Sequence, residues 1–288
     1  MILVTGATGT VGRALVERLP ADLGVRLMAR DPAKITGAAS TAEKVAGDHG
    51  DPRSLTRALT GVRTAFLVTT RIGADDDARF VRAAQMAGVQ RVVKLSAAAV
   101  LDDRADDLIT RWQRATEELL RASGMEWTVL RPRAFMSNSL SWAASIRSER
   151  TVRALYGTSG NACVDPRDIA EVAVRVLTEE GHAGRAYTLT GPEAVTAAGQ
   201  TEQLGRLLGV PLRFEELSPD EARGGLAKRY PAPVVEALLQ SAERQRAGAK
   251  AIVEDTVHVV TGRPAGTFAA WAADHLAAFA PVTEAAGA

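Results

Sequence analysis

Ile2-Leu3-Val4-Thr5-Gly6-Ala7-Thr8-Gly9-Thr10-Val11-Gly12 decides the fold, because an apolar run leads directly into three glycines spaced G-x-x-G-x-x-G. That spacing describes a strand, a tight turn and a helix that together take a dinucleotide. Gly6 permits the sharp reversal, Gly9 lets the backbone approach a pyrophosphate, and Gly12 lets the following helix lie close on the sheet. The helix expected over 13–19 offers unpaired N–H groups and its dipole to the phosphates. Any tight turn can use glycine, so the strand before the motif and the helix after it carry the interpretation.

Outward from this motif the pattern repeats. Strands are expected at 25–29, 44–48, 64–69, 91–96 and 127–130, and helices at 51–59, 74–88 and 108–123, the last with Ile109, Trp112, Leu119 and Leu120 in helical rhythm. Short apolar runs alternating with helices predict an α/β fold, a Rossmann-type doubly wound parallel sheet with its ligand crevice at the carboxyl ends of the strands. Beyond residue 150 come a strand at 151–155 and a helix over 169–177, which opens at Asp165-Pro166-Arg167-Asp168. Then follow a strand at 187–190, a helix at 196–208, a strand at 212–217, and helices through Lys250 and over 268–279. Two domains are expected: a dinucleotide-binding domain over 1–180, including a cleft segment at 132–150, and a smaller C-terminal α+β lid domain over 181–288 that binds substrate. The tail from Pro281 is expected to fray.

A chain of 288 residues, 46% of them hydrophobic, can bury a substantial core. Its net charge of +1 calls for no nucleic acid as partner. The single cysteine, Cys163, excludes an internal disulfide and suits a buried structural thiol in a reducing compartment. The apolar N-terminal run is too short for a signal or membrane segment, so a cytoplasmic monomer or homodimer with no membrane partner is expected. His49, His182, His258 and His275 form no i,i+4 pair and no metal site is expected; no G-x-S-x-G elbow is present.

The glycine motif is joined, in order, by Ala29-Arg30-Asp31-Pro32, Gly47-Asp48, Leu95-Ser96-Ala97, the run Ser123 to Pro132, and Phe135-Met136-Ser137-Asn138. Over about the first 190 residues the chain thus resembles the NmrA-like branch of the atypical short-chain dehydrogenases/reductases. That branch holds NAD(P)H-dependent quinone reductases, triphenylmethane dye reductases and cofactor sensors without turnover. The resemblance implies cofactor contacts from Gly6, Thr8, Gly9, Thr10, Val11 and Gly12, and from Thr69 and Thr70 after the fourth strand. It also implies that Asp48 meets the adenine, where the alternative is an acid capping the next helix. Pro132, Phe135, Met136 and Trp142 then wall the nicotinamide and substrate pocket, with Arg133 beside them; Phe135 and Met136 are equally good core residues.

A carboxylate about 20 residues past the fingerprint selects NAD(H), and a cation selects the 2′-phosphate of NADP(H). Arg30 occupies that place, with Lys34 nearby, so NADP(H) is expected over NAD(H), which the neighbouring Asp31 keeps open. The Tyr-x-x-x-Lys pair of ordinary short-chain dehydrogenases is missing. Four residues beyond Tyr156, Tyr187 and Tyr230 stand Gly160, Gly191 and Val234, and the helix positions that resemble the family's His and Lys hold Gln113 and Glu118. Ser96 stands at the place of the usual catalytic serine and is expected to hydrogen-bond substrate or nicotinamide; Asn138 joins it as a catalytic candidate, with Arg131 near the same strand end. The expected function is hydride transfer from NADPH to an electron-poor quinone, enone or polycyclic aromatic, which accepts hydride without a strong protein acid. A cofactor sensor without turnover and a biosynthetic ketoreductase acting on a polycyclic metabolite are the alternatives.

Overall fold

The computed structural model describes residues 1–280. β1 (Ile2–Val4) is fully buried and runs into Gly6 at φ +65°, after which α1 (Thr10–Val16) begins. Gly12 is fixed by sterics, since a Cβ there would lie 2.0 Å from the Gly6 carbonyl oxygen. There follow β2 (Val25–Ala29), β3 (Glu43–Ala46), α2 (Pro52–Leu59), β4 (Thr64–Leu67), α3 (Asp76–Met86), β5 (Arg91–Leu95), α4 (Leu108–Arg121) and β6 (Glu126–Pro132). Helix starts follow capping chemistry: Asp51 accepts the Arg53 N–H ahead of α2 and Asp107 the Thr110 N–H ahead of α4. The rest of the chain forms α5 (Ala143–Glu149), β7 (Thr151–Ala154), α6 (Pro166–Thr178), β8 (Arg185–Leu189), α7 (Ala197–Leu208), β9 (Arg213–Glu216), α8 (Pro219–Ala227), α9 (Ala232–Arg246), α10 (Thr256–Thr261) and α11 (Phe268–Asp274).

The chain divides into two compact units. The first comprises Met1–Pro132, Pro166–Leu189 and Thr256–Arg263; the second comprises 133–165, 190–255 and the described residues from 264 on. The first unit holds a parallel seven-stranded sheet in the order β3-β2-β1-β4-β5-β6-β8. β1 lies between β2 and β4, so the strand order reverses beside the glycine turn, which is where open α/β sheets take ligands. Leu3, Leu55, Leu59, Leu67, Phe80, Val92 and Leu120 belong to the core packed on one face. The second unit carries the two-stranded parallel β7-β9 ribbon and a core that includes Met136, Ile146, Val152, Cys163, Leu204, Phe268 and Trp271.

The strand at 187–190, expected in the lid, is instead β8, paired in parallel with β6 from Thr128↔Arg185 to Pro132↔Leu189. The reason lies in α6, whose Ile169, Ala170, Val172, Ala173, Val176 and Leu177 are buried. Such a face needs a sheet to cover, and the crossover it makes returns the chain to the sheet edge. α10 packs on α6 and β8. Units assembled from separated pieces thus replace the single boundary expected after residue 180. No described helix is long and apolar enough to cross a membrane, and the tail expected to fray at Pro281 lies outside the described residues.

Candidate active site

The glycine turn is shaped for an anion. Gly9 caps α1 with extended backbone and no side-chain hydrogen bond, so protein side chains leave the first-turn N–H groups to a ligand. A Cβ on Gly9 would meet only the Gly6 carbonyl oxygen, at 3.3 Å, and open space otherwise. Arg13 Nε donates to the Thr8 carbonyl at 2.8 Å and braces the turn. Thr8 is half-buried and Thr10 exposed, whereas Val11 is buried and can offer a ligand only its backbone. Thr5, which sequence inspection passed over, donates its hydroxyl to the Phe66 carbonyl at 3.0 Å and takes the Val68 N–H at 2.8 Å, locking β1 to β4 at the switch point.

At the end of β2, Arg30 is exposed. Asp31 caps the short 3-10 turn Pro32–Lys34 by accepting the Ala33 N–H at 3.1 Å and pairs with Lys34 at 3.7 Å. Asp48 does not cap α2, a role Asp51 takes; its Oδ1 accepts the Gly50 N–H at 2.6 Å and lies 3.5 Å from Arg71. His49, beside it, packs on Phe80 at 5.8 Å between ring centres, and burial lowers its pKa against the opposing pull of Asp76 and Asp77.

Two hydroxyls stand at the carboxyl ends of the adjacent strands β4 and β5, and both are engaged. Thr69 donates to Asp77 at 2.7 Å, a carboxylate that also accepts the Trp112 indole N–H at 2.8 Å and pairs with Lys94 at 3.5 Å. Lys94 is fully buried; its Nζ donates to the Leu95 carbonyl at 2.8 Å and lies over the Trp112 ring. Burial moves its pKa down, and Asp77 opposes this. Thr70 is exposed. Ser96 donates to Glu117 Oε1 at 2.7 Å, and Arg131, expected to reach the crevice, instead grips the same carboxylate at 3.0 and 2.5 Å. Arg121 adds a bond at 2.7 Å. Burial would push the Glu117 carboxyl up, but the bonds from Arg131 and Ser96, the Arg131 charge and Arg121 hold it below the ordinary value.

Glu117 is thus the residue that matters on α4. Glu118, which stands at the position resembling the family's Lys, is exposed, while Thr110, Gln113, Thr116, Glu117 and Leu120 form the buried face. Gln113 Oε1 is buried without a hydrogen-bond partner. The tyrosines are spread elsewhere: Tyr156 bonds Glu243, Tyr187 shares a 2.8 Å bond with His182, and Tyr230 is exposed.

Pro132 ends β6, buried. In the second unit Met136 is a core residue at 2% exposure with Trp142 packed against that core, so its side chain serves packing there. Arg133 and Phe135 are half-buried and Asn138 exposed. Cys163 is buried, accepts from the Gln200 amide at 3.2 Å, and is pushed up to about 12 by burial.

A family model for NAD(P)H-binding proteins matches residues 6–180. A (4-alkanoyl-5-oxo-2,5-dihydrofuran-3-yl)methyl phosphate reductase from Streptomyces griseus is 57% identical, over 98% of this chain and 100% of its own. An NAD(P)H azoreductase from Xenophilus azovorans is 36% identical, over 97% of this chain and 99% of its own. The crystal structure of an NADPH-dependent quinone oxidoreductase from Escherichia coli in complex with NADPH superposes with TM-score 0.82 and 27% identity, covering 96% of this chain and 99% of that one. The glycine turn lies at the switch point of a parallel sheet, and with these matches the chain belongs to the NAD(P)H-binding family, in the NmrA-like branch of the atypical short-chain dehydrogenases/reductases, and is an NAD(P)H-dependent reductase.

Proposed function

We propose that this reductase uses NADPH to saturate a carbon–carbon double bond conjugated to two carbonyls, as in a (4-alkanoyl-5-oxo-2,5-dihydrofuran-3-yl)methyl phosphate. The observation that carries this is the Ser96 hydroxyl, which donates its hydrogen bond to the Glu117 carboxylate at 2.7 Å. A serine so tied cannot act as an acid, and the acceptor must carry the developing negative charge itself. Bound NADPH supplies the hydride. It enters the ring carbon bearing the phosphomethyl group, and the double-bond electron pair moves to the neighbouring carbon, where ketone and lactone oxygens share the charge. Water supplies the proton that completes the saturated lactone. Quinones and azo compounds, named for the relatives at lower identity, meet the same electronic requirement.

Arg30, with Lys34, is assigned to the 2′-phosphate of NADP(H), Asp48 to the adenine end and Thr70 to the nicotinamide end. Arg133, Phe135, Asn138 and Trp142, on the segment leaving β6, are assigned to the acceptor. Incubating the protein with a synthetic alkanoyl butenolide phosphate and 4-deuterated NADPH should place deuterium on the phosphomethyl-bearing carbon, while D2O labels the carbon between the carbonyls. Tight NADPH binding with no oxidation by butenolides, quinones or azo dyes would leave the cofactor-sensor function instead.

A further inference from the structure

We infer that Ser96 is the residue that recognises the carboxamide of the nicotinamide ring, and that it makes no hydrogen bond to the hydride acceptor. A serine hydroxyl holds one proton and two lone pairs. Here the proton is fixed on Glu117 Oε1 at 2.7 Å, and Glu117 is held as a carboxylate by Arg131 and Arg121. Ser96 therefore offers lone pairs alone. It stands directly past β5, its backbone N–H bonded to Leu130 at 2.7 Å, at the carboxyl edge of the sheet where the ligand crevice of this fold lies. At the neighbouring strand end Thr69 also donates to a carboxylate, Asp77, but its oxygen accepts from Lys94 Nζ at 3.3 Å.

A group that presents lone pairs attracts N–H and repels carbonyl oxygen. A doubly carbonyl-activated alkene or a quinone shows only carbonyl oxygens around its reacting carbons, so Ser96 would repel it. The carboxamide NH2 of the cofactor supplies the missing donor. Glu117 then acts as a positioning residue: by accepting the hydroxyl's hydrogen bond it sets which way the hydroxyl points. The identity of the acceptor as a carbonyl compound rests on the function proposed above, but recognition of the carboxamide does not, and it can be measured without turnover.

The experiment titrates the protein and its Ser96→Ala and Ser96→Thr variants with NADPH and with reduced 3-acetylpyridine adenine dinucleotide phosphate, whose methyl ketone lacks the amide N–H. Binding is followed by nucleotide fluorescence. The wild-type protein should prefer NADPH by about fivefold, the worth of one neutral hydrogen bond. Ser96→Ala should lose that preference by weakening NADPH alone, and Ser96→Thr should retain it. Equal binding of the two nucleotides by the wild-type protein would overturn the inference even if the alanine variant fails to fold. So would a Ser96→Ala variant that weakens both alike, or that binds both normally while losing turnover.

Discussion

Replacing Glu117 by glutamine strikes the point where the polar groups at the end of β5 are tied together. The carboxylate accepts from Ser96 at 2.7 Å, Arg131 at 3.0 and 2.5 Å, and Arg121 at 2.7 Å. Glutamine has the same shape, but one oxygen becomes an NH2 that faces guanidinium groups which can only donate. Removing one partner of a buried ion pair costs about 3–5 kcal/mol. The Arg121 side chain is 38% exposed, so its share is screened and the lower end of that range applies. With about 2–4 °C of midpoint per kcal/mol in a protein of this size, a loss of about 3 kcal/mol should lower Tm by about 6–12 °C at neutral pH, read by calorimetry. The pH dependence has a definite sign. A carboxyl whose folded pKa is depressed gives stability that is fully present above its unfolded pKa, about 4.3, and is lost as pH falls through the folded value. The gap between wild type and variant should be constant from pH 7 to about 5 and narrow in stronger acid. A variant melting within about 2 °C of wild type at pH 7 would refute the ionised, tied carboxylate, and with it the placement of the Ser96 proton.

Arg30→Glu should weaken NADPH about ten- to hundredfold, as loss of a charge-assisted bond predicts, and leave NADH nearly unchanged; equal losses in titration would remove the 2′-phosphate from Arg30. Gly9→Val, whose Cβ would lie 3.3 Å from the Gly6 carbonyl oxygen, should yield a folded protein with a modestly lowered Tm that no longer binds NADP(H), while Gly12→Ala, whose Cβ would lie 2.0 Å from the same carbonyl, should lower Tm far more or abolish folding; the opposite pattern would exchange their roles. Cys163, buried and pushed up to about 12, should resist alkylation at pH 7.5 in the native protein and react on unfolding, as thiolate chemistry demands; rapid native labelling is the contrary result. Tyr156→Phe, at a phenol already bonded to Glu243, should keep turnover within about a few-fold, whereas a loss near the 10²–10⁴ of general acid catalysis would expose a phenolic acid.

The sheet was legible because its signals are local. β2 begins and ends as expected at Val25 and Ala29, and the Asp51 and Asp107 caps stand where helix starts demand them. β8 was misplaced because nothing in Arg185–Leu189 says which partner it takes; the deciding feature is the buried face of α6 before it. The candidate site divides the same way. Gly6, Gly9 and Gly12 follow from spacing, while Glu117 was not singled out; its neighbour Glu118, noted only as standing where the family's Lys would, lies about 100° round the helix. The period of Thr110, Gln113, Glu117 and Leu120 carried the correct face. That Glu117 and Asp77 hold Arg131 and Thr69 is invisible in the sequence, because the fold alone brings these pairs together.

The first unit is made of three separated pieces of chain, ending with Thr256–Arg263, and this sets a timetable for its birth. On the ribosome, the strand edge of β6 stays unpaired until residue 189 has been made, and α6 and β8 lack α10 until residue 263. At about 5–20 residues per second, the stretch between residues 132 and 263 takes roughly 7–26 s to synthesise. For the first part of that interval, until residue 189 has been made, a nascent molecule presents the open parallel edge of β6 to its neighbours on the same message. Neither unit can be cut out as one contiguous gene fragment, so messages that stop early release chains with an unfinished sheet, and these become clients of chaperones and proteases.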